Sequence, residues 1–402
     1  MKRCLSLLLL VCCFFAGCNR NEHMTHTEAT VSLGTVAPSA PTQPPATTAP
    51  SVDPVKEYLK GMSLEEKIGQ LFVVAPEQFL PKYSAVTTMT DGLKAGLVQY
   101  PVGGIILFAE NIQSPSQLEK LTKEPQKTAG IPLFVAVDEE GGRVARLAQN
   151  DSFNLPKYES AAAVGATGDP QNAHAMGETI GAYLARYGFN LDFAPVADVN
   201  TNPNNTVIGT RAFSSDPMVA GQMAAAFASG LGQKGVISTF KHFPGHGDTA
   251  EDSHSGLAIN HKDRATLEKC EWLPFRKATS RDMVMVGHIA LPAVTGKMTP
   301  ATMSYEIVTR ILKQELGFAG LVITDSLQMD AITDSYNSAE AAVTALKAGC
   351  DILLMPNDLP SAFDGVRAAV VDGTLSEQWL NETVERILKF KQLHGILVLS
   401  AD

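Results

Sequence analysis

The stretch Lys241-His242-Phe243-Pro244-Gly245-His246-Gly247-Asp248-Thr249, with Asp252-Ser253-His254 just beyond it, gathers most of the chain's chemically capable side chains. An apolar run, Val236 to Phe240, leads into it, and proline and glycine then turn the chain into a loop. So many titratable groups in one loop cost desolvation and repulsion unless they serve chemistry. Asp252 stands two residues before His254, close enough for the carboxylate to orient the imidazole and support its cation. Such a histidine suits general acid–base work near neutral pH. A second candidate, Asp325 in Val322-Ile323-Thr324-Asp325-Ser326-Leu327, ends an apolar run with no adjacent basic residue. That position suits a carboxylate nucleophile or a substrate ligand, and a cap for the following turn is the plainer alternative.

Two other chemistries use similar residues. His242, His246 and His254 could hold zinc in a metal-dependent hydrolase. However, Pro244-Gly245 separates the first two, so they cannot share a helix face as an HExxH pair does. A serine hydrolase lacks its GxSxG elbow here. No cofactor is expected.

These residues need a frame that brings them together. Short apolar runs recur at Gln70–Val74, Gly104–Phe108, Phe134–Val137, Leu191–Ala197, Val236–Phe240, Met283–Gly287, Leu321–Thr324 and Ile352–Met355. They show little polar alternation, as expected of parallel strands buried on both faces. Helical patterns lie between them at Pro115–Thr128, Asn172–Tyr187, Asp216–Lys234, Arg264–Ser280, Tyr305–Glu315 and Ser338–Ala348, and Gln378–Leu393 closes the chain. Pro125 should bend or end the first of these early. Ser63-Leu64-Glu65-Glu66 reads as a capping box. The alternation predicts an α/β fold, a single (β/α)8 TIM barrel spanning residues 54–402, with a doubly wound sheet as the alternative. A barrel places its site at the C-terminal ends of the strands. Asp138 follows the third run, Asp198, Asn200 and the more distant Arg211 the fourth, Lys241 and His242 the fifth, His288 the sixth and Asp325 the seventh.

With these positions set out, the chain resembles the β-N-acetylglucosaminidases of glycoside hydrolase family 3, from about Val55 to Leu393. The resemblance rests on Asp138-Glu139-Glu140-Gly141-Gly142-Arg143-Val144, Gly209-Thr210-Arg211-Ala212-Phe213-Ser214-Ser215-Asp216-Pro217, the Lys241–Gly247 stretch, Asp252-Ser253-His254 and Thr324-Asp325-Ser326-Leu327. Glu139 stands where the family usually has Gln or His. The resemblance implies that Asp325 is the nucleophile of a retaining exo-glycosidase, His254 the acid/base and Asp252 its partner. Asp138, Arg146, Arg211, Lys241 and His242 would bind the sugar. The substrate would be terminal β-linked N-acetylglucosamine on cell-wall fragments or related glycans. A neutral imidazole does not repel an anionic acceptor as a carboxylate would, and some members of this branch are phosphorylases, so a phosphorylase is the nearest alternative. A non-catalytic sugar-binding lipoprotein is a further one, disfavoured by the intact Asp252, His254 and Asp325.

Composition bounds the rest. The net charge of −10 argues against a nucleic-acid partner. Lys2 and Arg3 followed by the apolar Leu5–Phe15 and by Ala16-Gly17-Cys18 read as a secretory leader, residues 1–18. The ending resembles a bacterial lipobox, with Phe15 where Leu is usual, and predicts an extracytoplasmic protein held to the cell membrane by lipid on Cys18. A plain signal peptide cut elsewhere is the alternative. Residues 19–53, rich in Thr, Pro and Ala, read as a disordered tether. Outside the leader only Cys270 and Cys350 remain, too few for a disulfide framework, and their pairing stays open.

Overall fold

A computed structural model describes residues 53–80, 85–249 and 256–399. Cys18, the leader and the tether up to Val52 lie outside them, as do Asp252 and His254.

Eight parallel strands form one sheet: β1 (Phe72–Val74), β2 (Gly104–Ile106), β3 (Phe134–Val137), β4 (Leu191–Asp192), β5 (Ile237–Phe243), β6 (Met283–Val286), β7 (Leu321–Thr324) and β8 (Leu353–Leu354). Neighbours in sequence pair in space, and β8 also pairs with β1 through Phe72↔Leu353. The ring closes between β7 and β8. Ile323 bridges Ile352, Thr324 N–H donates to Ile352 O at 3.0 Å and Leu327 N–H to Leu354 O at 2.9 Å. This closure makes the fold a (β/α)8 barrel, not an open doubly wound sheet. The strands are buried throughout, which is why their sequences lack alternation.

Each of the eight apolar runs coincides with or overlaps a strand, and two depart most from their runs. Regular pairing in β4 stops at Asp192, because Pro195 has no N–H to give to a ladder. Carbonyls continue the contact: Ala194 O and Pro195 O accept from Thr239 N and Lys241 N at 2.8 and 3.1 Å. β5 runs on to Phe243, so Lys241 and His242 belong to the strand itself.

The main outer helices are α1 (Asp91–Gln99), α2 (Pro115–Thr128), α3 (Pro170–Arg186), α4 (Pro217–Gln233), α5 (Arg264–Lys269), α6 (Glu306–Glu315, wound in the wide π form), α7 (Ser338–Ala348), α8 (Leu359–Val371) and α9 (Glu377–Leu393). The Ser63 capping box is present, with Glu66 N donating to Ser63 Oγ and Ser63 N to Glu66 Oε2. Two helix expectations need correction. Helix α2 runs through Pro125 to Thr128, for the ring sits near the last turn and is buried against the core. The span Arg264–Ser280 is not one helix. It ends at Lys269 and resumes as a tight turn at Pro274–Lys277, where Pro274 lacks an N–H and Trp272 is driven inward.

Helix α9 does more than cover the barrel. It sends Lys391, 0 % exposed, beneath the strands' N-terminal ends. The Lys391 ammonium donates to Gln70 Oε1 at 2.7 Å, Gly103 O at 2.9 Å and Pro132 O at 2.6 Å, and lies 4.8 Å from the Phe134 ring centre. Cys270 and Cys350 are both free thiols, and burial pushes Cys350 up to about 12. No helix among the described residues is long and apolar enough to cross a membrane.

Candidate active site

The C-terminal ends of the strands surround a cavity of about 440 Å³. Its most charged wall begins where β3 ends. Asp138, Glu139 and Glu140 continue as extended chain, so alternate side chains point opposite ways. Asp138 and Glu140 both turn to Lys241, whose Nζ lies 2.7 Å from Asp138 Oδ1 and 2.6 Å from Glu140 Oε1. Glu139 turns outward and is fully buried. It accepts from Leu147 N, Ala148 N and Tyr183 Oη at 2.9 Å each. Its job is to hold the loop that carries Arg146, and burial raises its pKa.

Glu140 is the site residue that the sequence reading left out. Arg211, from the loop after β4, grips it in bidentate fashion, Nε–Oε2 2.8 Å and Nη2–Oε1 2.7 Å. Burial would raise the Glu140 pKa, but Arg211 and Lys241 outweigh it and hold the group well below the usual carboxylate range. Burial likewise opposes the Lys241 ammonium, yet Asp138 and Glu140 leave its pKa raised. Arg146 reaches Asp138 Oδ2 at 3.7 Å and lies over the Phe108 ring, 5.7 Å from its centre.

Asp198, which the sequence places at the end of the fourth run, forms the next part of the wall. It is completely buried after β4, and its Oδ2 stands 2.7 Å from His242 Nδ1 while Oδ1 accepts from His246 N at 2.7 Å. Burial raises the Asp198 pKa, but neighbouring His242 overrides this and lowers it. The pairing makes His242 Nδ1 the donor, so Nε2 faces the cavity with Arg211 Nη2 3.5 Å away. His246 lines the same wall with Nδ1 2.6 Å from Thr249 Oγ1, and burial lowers its pKa. A guanidinium beside His242 Nε2 makes that nitrogen a poor ligand for a cation. Among the described residues no cluster of His, Cys, Asp or Glu is arranged to hold a metal ion.

Asp325 comes to the opposite side of the cavity. Its N–H donates to Val286 O at 2.8 Å, tying it to the end of β6, and its Oδ1 accepts from Ser326 N at 2.8 Å. His288, fully buried after β6, supports the same corner, with Nε2 2.8 Å from Ser326 O and Nδ1 2.8 Å from Thr302 Oγ1. Thus Asp138, Arg146, Arg211, Lys241, His242 and Asp325 all line one cavity. Asp252 and His254 lie outside the described residues, in the segment bounded by Thr249 and Gly256. Glu140 and Asp198 were legible in part. The i, i+2 spacing of Asp138 and Glu140 after an apolar strand puts both on one side, and Asp198 ends the fourth run.

The Glycosyl hydrolase family 3 N terminal domain matches residues 63–390. A "Beta-hexosaminidase A" of Pseudoalteromonas piscicida is 38% identical over 338 residues, 77% of this chain and 56% of that protein. A "Beta-hexosaminidase" of Nitrosomonas eutropha is 36% identical over 284 residues, 69% of this chain and 80% of that protein. The solved structure of a glycoside hydrolase family 3 beta-N-acetylglucosaminidase from Paenibacillus sp. superposes with a TM-score of 0.78 at 36% identity, covering 85% of this chain and 65% of that one. This chain therefore spans little more than half of the first relative and about two thirds of that structure. The matched span runs from the Ser63 capping box to the last turn of α9, and so contains every strand that carries a site residue. A closed barrel, these side chains at its mouth and that match agree: the chain belongs to glycosyl hydrolase family 3.

Proposed function

We propose that this chain is a retaining exo-β-N-acetylglucosaminidase that removes terminal β-linked N-acetylglucosamine from cell-wall fragments or related glycans. The observation that carries the reading is the division of the cavity. Asp325 approaches from β7, and the Asp138–Lys241–Glu140–Arg211 array faces it from β3 to β5. The names of the two β-hexosaminidase relatives and the Paenibacillus enzyme support the sugar. In this reading Asp325 attacks the anomeric carbon and forms a covalent glycosyl–enzyme. His254, supported by Asp252, protonates the departing oxygen and then draws a proton from water as it attacks the intermediate. Asp138, Arg146, Arg211, Lys241 and His242 hold the sugar hydroxyls. The array is buried and ion-paired, with the Lys241 and Glu140 side chains only 3% and 2% exposed, as a wall at the non-reducing end would be. That supports exo action.

The test is a panel of aryl β-glycosides in phosphate buffer. Turnover of the N-acetylglucosaminide but not the glucoside, with free sugar rather than its 1-phosphate as product, is expected. Asp325→Ala should remove nearly all turnover, and a 2-fluoro sugar with a good leaving group should label Asp325. A label on another residue, or an α-anomeric first product, would refute the assignment.

We also propose an extracytoplasmic, lipid-anchored location, motivated by Ala16-Gly17-Cys18 after the apolar leader. Cys18→Ala should release the protein from the membrane fraction, and equal retention of that variant counts against the anchor.

A further inference from the structure

Asp252 and His254 lie between Thr249, just past β5, and Gly256. Both flanks of that interval are described, and both are held. On the near side, Asn205 Nδ2 donates to His246 O at 2.7 Å and to Thr249 O at 3.0 Å, and Asn202 Nδ2 donates to Thr249 O at 3.2 Å. A Cβ on Gly247 would meet Val199 O at 1.9 Å, so this flank lies directly against the loop after β4. On the far side, Ala258–Ile259 pairs in parallel with Ile289–Ala290 beyond β6, and Asn260 N donates to Ala290 O at 3.0 Å.

One side chain joins the two flanks. Lys262 Nζ stands 2.9 Å from Asp248 Oδ1, 2.7 Å from Glu271 Oε1 and 3.1 Å from Thr201 Oγ1. Thr201 Oγ1 in turn donates to Asp248 Oδ1 at 2.8 Å. Glu271 is 0 % exposed and packs against the turn that follows His242, for a Cβ on Gly245 would come within 2.6 Å of the Glu271 Cβ. The ammonium therefore has a fixed, buried anchor, and it holds the partly exposed Asp248 to that anchor through charge-assisted contacts.

None of Thr201, Asp248, Lys262 and Glu271 lines the cavity at the barrel mouth. A clasp that stands outside the cavity and joins both flanks reaches the chemistry through what lies between them. Fixing the ends of a chain segment removes arrangements from it. General acid catalysis needs its donor within hydrogen-bond reach of the departing oxygen, and small misplacements are costly. We propose that Lys262 is a positioning residue for the acid/base. By tying Asp248, ahead of the segment, to Glu271, behind it, Lys262 sets where His254 stands relative to the leaving group. The proposal rests on the glycosidase reading above.

The experiment measures kcat/KM of the full chain on two substrates, the β-linked disaccharide of N-acetylglucosamine and the dinitrophenyl β-N-acetylglucosaminide. The dinitrophenolate is acidic enough to depart without a proton, so only the disaccharide needs the acid. His254→Ala sets the reference and should cost the disaccharide about 10²–10⁴-fold. Lys262→Met should cost the disaccharide between about 10- and 100-fold and leave the dinitrophenyl substrate within about twofold. Added to His254→Ala, it should cost the disaccharide nothing further, whereas a residue that only steadies the fold would cost the same again. Asp248→Asn, at a partly exposed position, loosens the same clasp while leaving Lys262 on Glu271, and should show the same split in smaller measure. Equal losses on both substrates, an additive loss in the double variant, or wild-type disaccharide turnover by both Lys262→Met and Asp248→Asn overturns the positioning role alone. If His254→Ala itself lowers both substrates alike, the acid/base assignment falls and the role of the clasp with it. A wild type that turns over neither substrate overturns the glycosidase reading and the proposal that rests on it.

Discussion

Lys241 is the residue on which the ionic wall turns. It sits on a fully buried strand and satisfies two carboxylates from another strand's end, so removing it leaves both charges without their nearest ammonium. Breaking a buried pair in this way costs about 3–5 kcal/mol. Lys241→Met should therefore lower unfolding free energy by about that amount in urea titrations, as well as weakening substrate binding. A loss under about 1 kcal/mol would mean that Asp138 and Glu140 are better solvated than their surroundings suggest. Asp198→Asn probes a subtler dependence. The isosteric amide keeps the volume but can turn an N–H towards His242 Nδ1, favouring the wrong tautomer. Loss of kcat/KM on the order of 10-fold or more, with melting temperature nearly unchanged, is expected. Equal catalysis by this variant would remove Asp198 from the site. These two residues also mark how far the sequence speaks. Asp325, Lys241 and His242 stand out because each ends or interrupts an apolar run. Asp198 shares that contrast at the end of the fourth run, but Glu140 has none of its own, and Glu139 looks more suspicious than Glu140 while serving only to hold the Arg146 loop. Which of three consecutive acids faces the cavity depends on strand parity, and which carboxylate meets which ring depends on neighbouring strands.

At the scale of elements, the strands were the readable part because parallel strands buried on both faces leave an uninterrupted apolar record. The helices were less so. The patterns for α3, α4, α6 and α7 agree with the observed spans within two residues at each end. Short α1 and the helix Pro54–Lys60 carry too little periodicity to be distinguished from loops, and α8, longer than α7, was not read either. The pattern at Gln378–Leu393 predicts a helix that closes the chain but not its most unusual side chain. Lys391 occurs in the plain run Leu388-Lys389-Phe390-Lys391, and nothing local separates it from the exposed Lys389 next to it. Only the barrel supplies the three oxygens that meet the ammonium, one just ahead of each of β1, β2 and β3. Burial pushes its pKa down to about 7, while those acceptors and the Phe134 ring favour the charged form. The lysine thus ties the last helix to the start of three strands. Lys391→Met fills the same space but leaves Gln70 Oε1, Gly103 O and Pro132 O without this donor. Each such orphaned buried acceptor costs about 1–3 kcal/mol. A melting temperature several degrees lower, with KM for the aryl substrate unchanged, is the expected result. An unchanged melting temperature would show that the bottom of the barrel does not need this strap.

For the whole molecule, acid should act in two separate stages, because the two kinds of depressed group titrate in different windows. His394, just after α9, has an Nε2 that is buried with no hydrogen-bond partner among the described residues, and its ring centre lies 4.7 Å from that of Phe390. Burial, followed by the nearby Arg281 charge, pushes its pKa down to about 4, although Asp282 pulls the other way. In the unfolded chain a histidine titrates near 6.5. Between those values the unfolded state binds more protons than the folded one, so stability falls as pH drops from about 6.5 to about 4. His246, also depressed, adds to the same limb. Glu140 and Asp198 are lowered as carboxylates, so their contribution is complete above about 4 and is lost only as pH falls further. His394→Phe keeps an aromatic ring against Phe390 and removes one titration. Its melting temperature should fall less than the wild type's between pH 6.5 and 4, and by the same amount below pH 4. The remaining slope in the upper window is then the net of His246 and of the buried Glu139 and Asp192, whose raised pKa values act with the opposite sign. Melting curves recorded at half-unit intervals decide the point. Parallel profiles for wild type and variant across the upper window would mean that His394 takes up its proton without opening the fold, and that the acid limb begins with the carboxylates of the ionic wall.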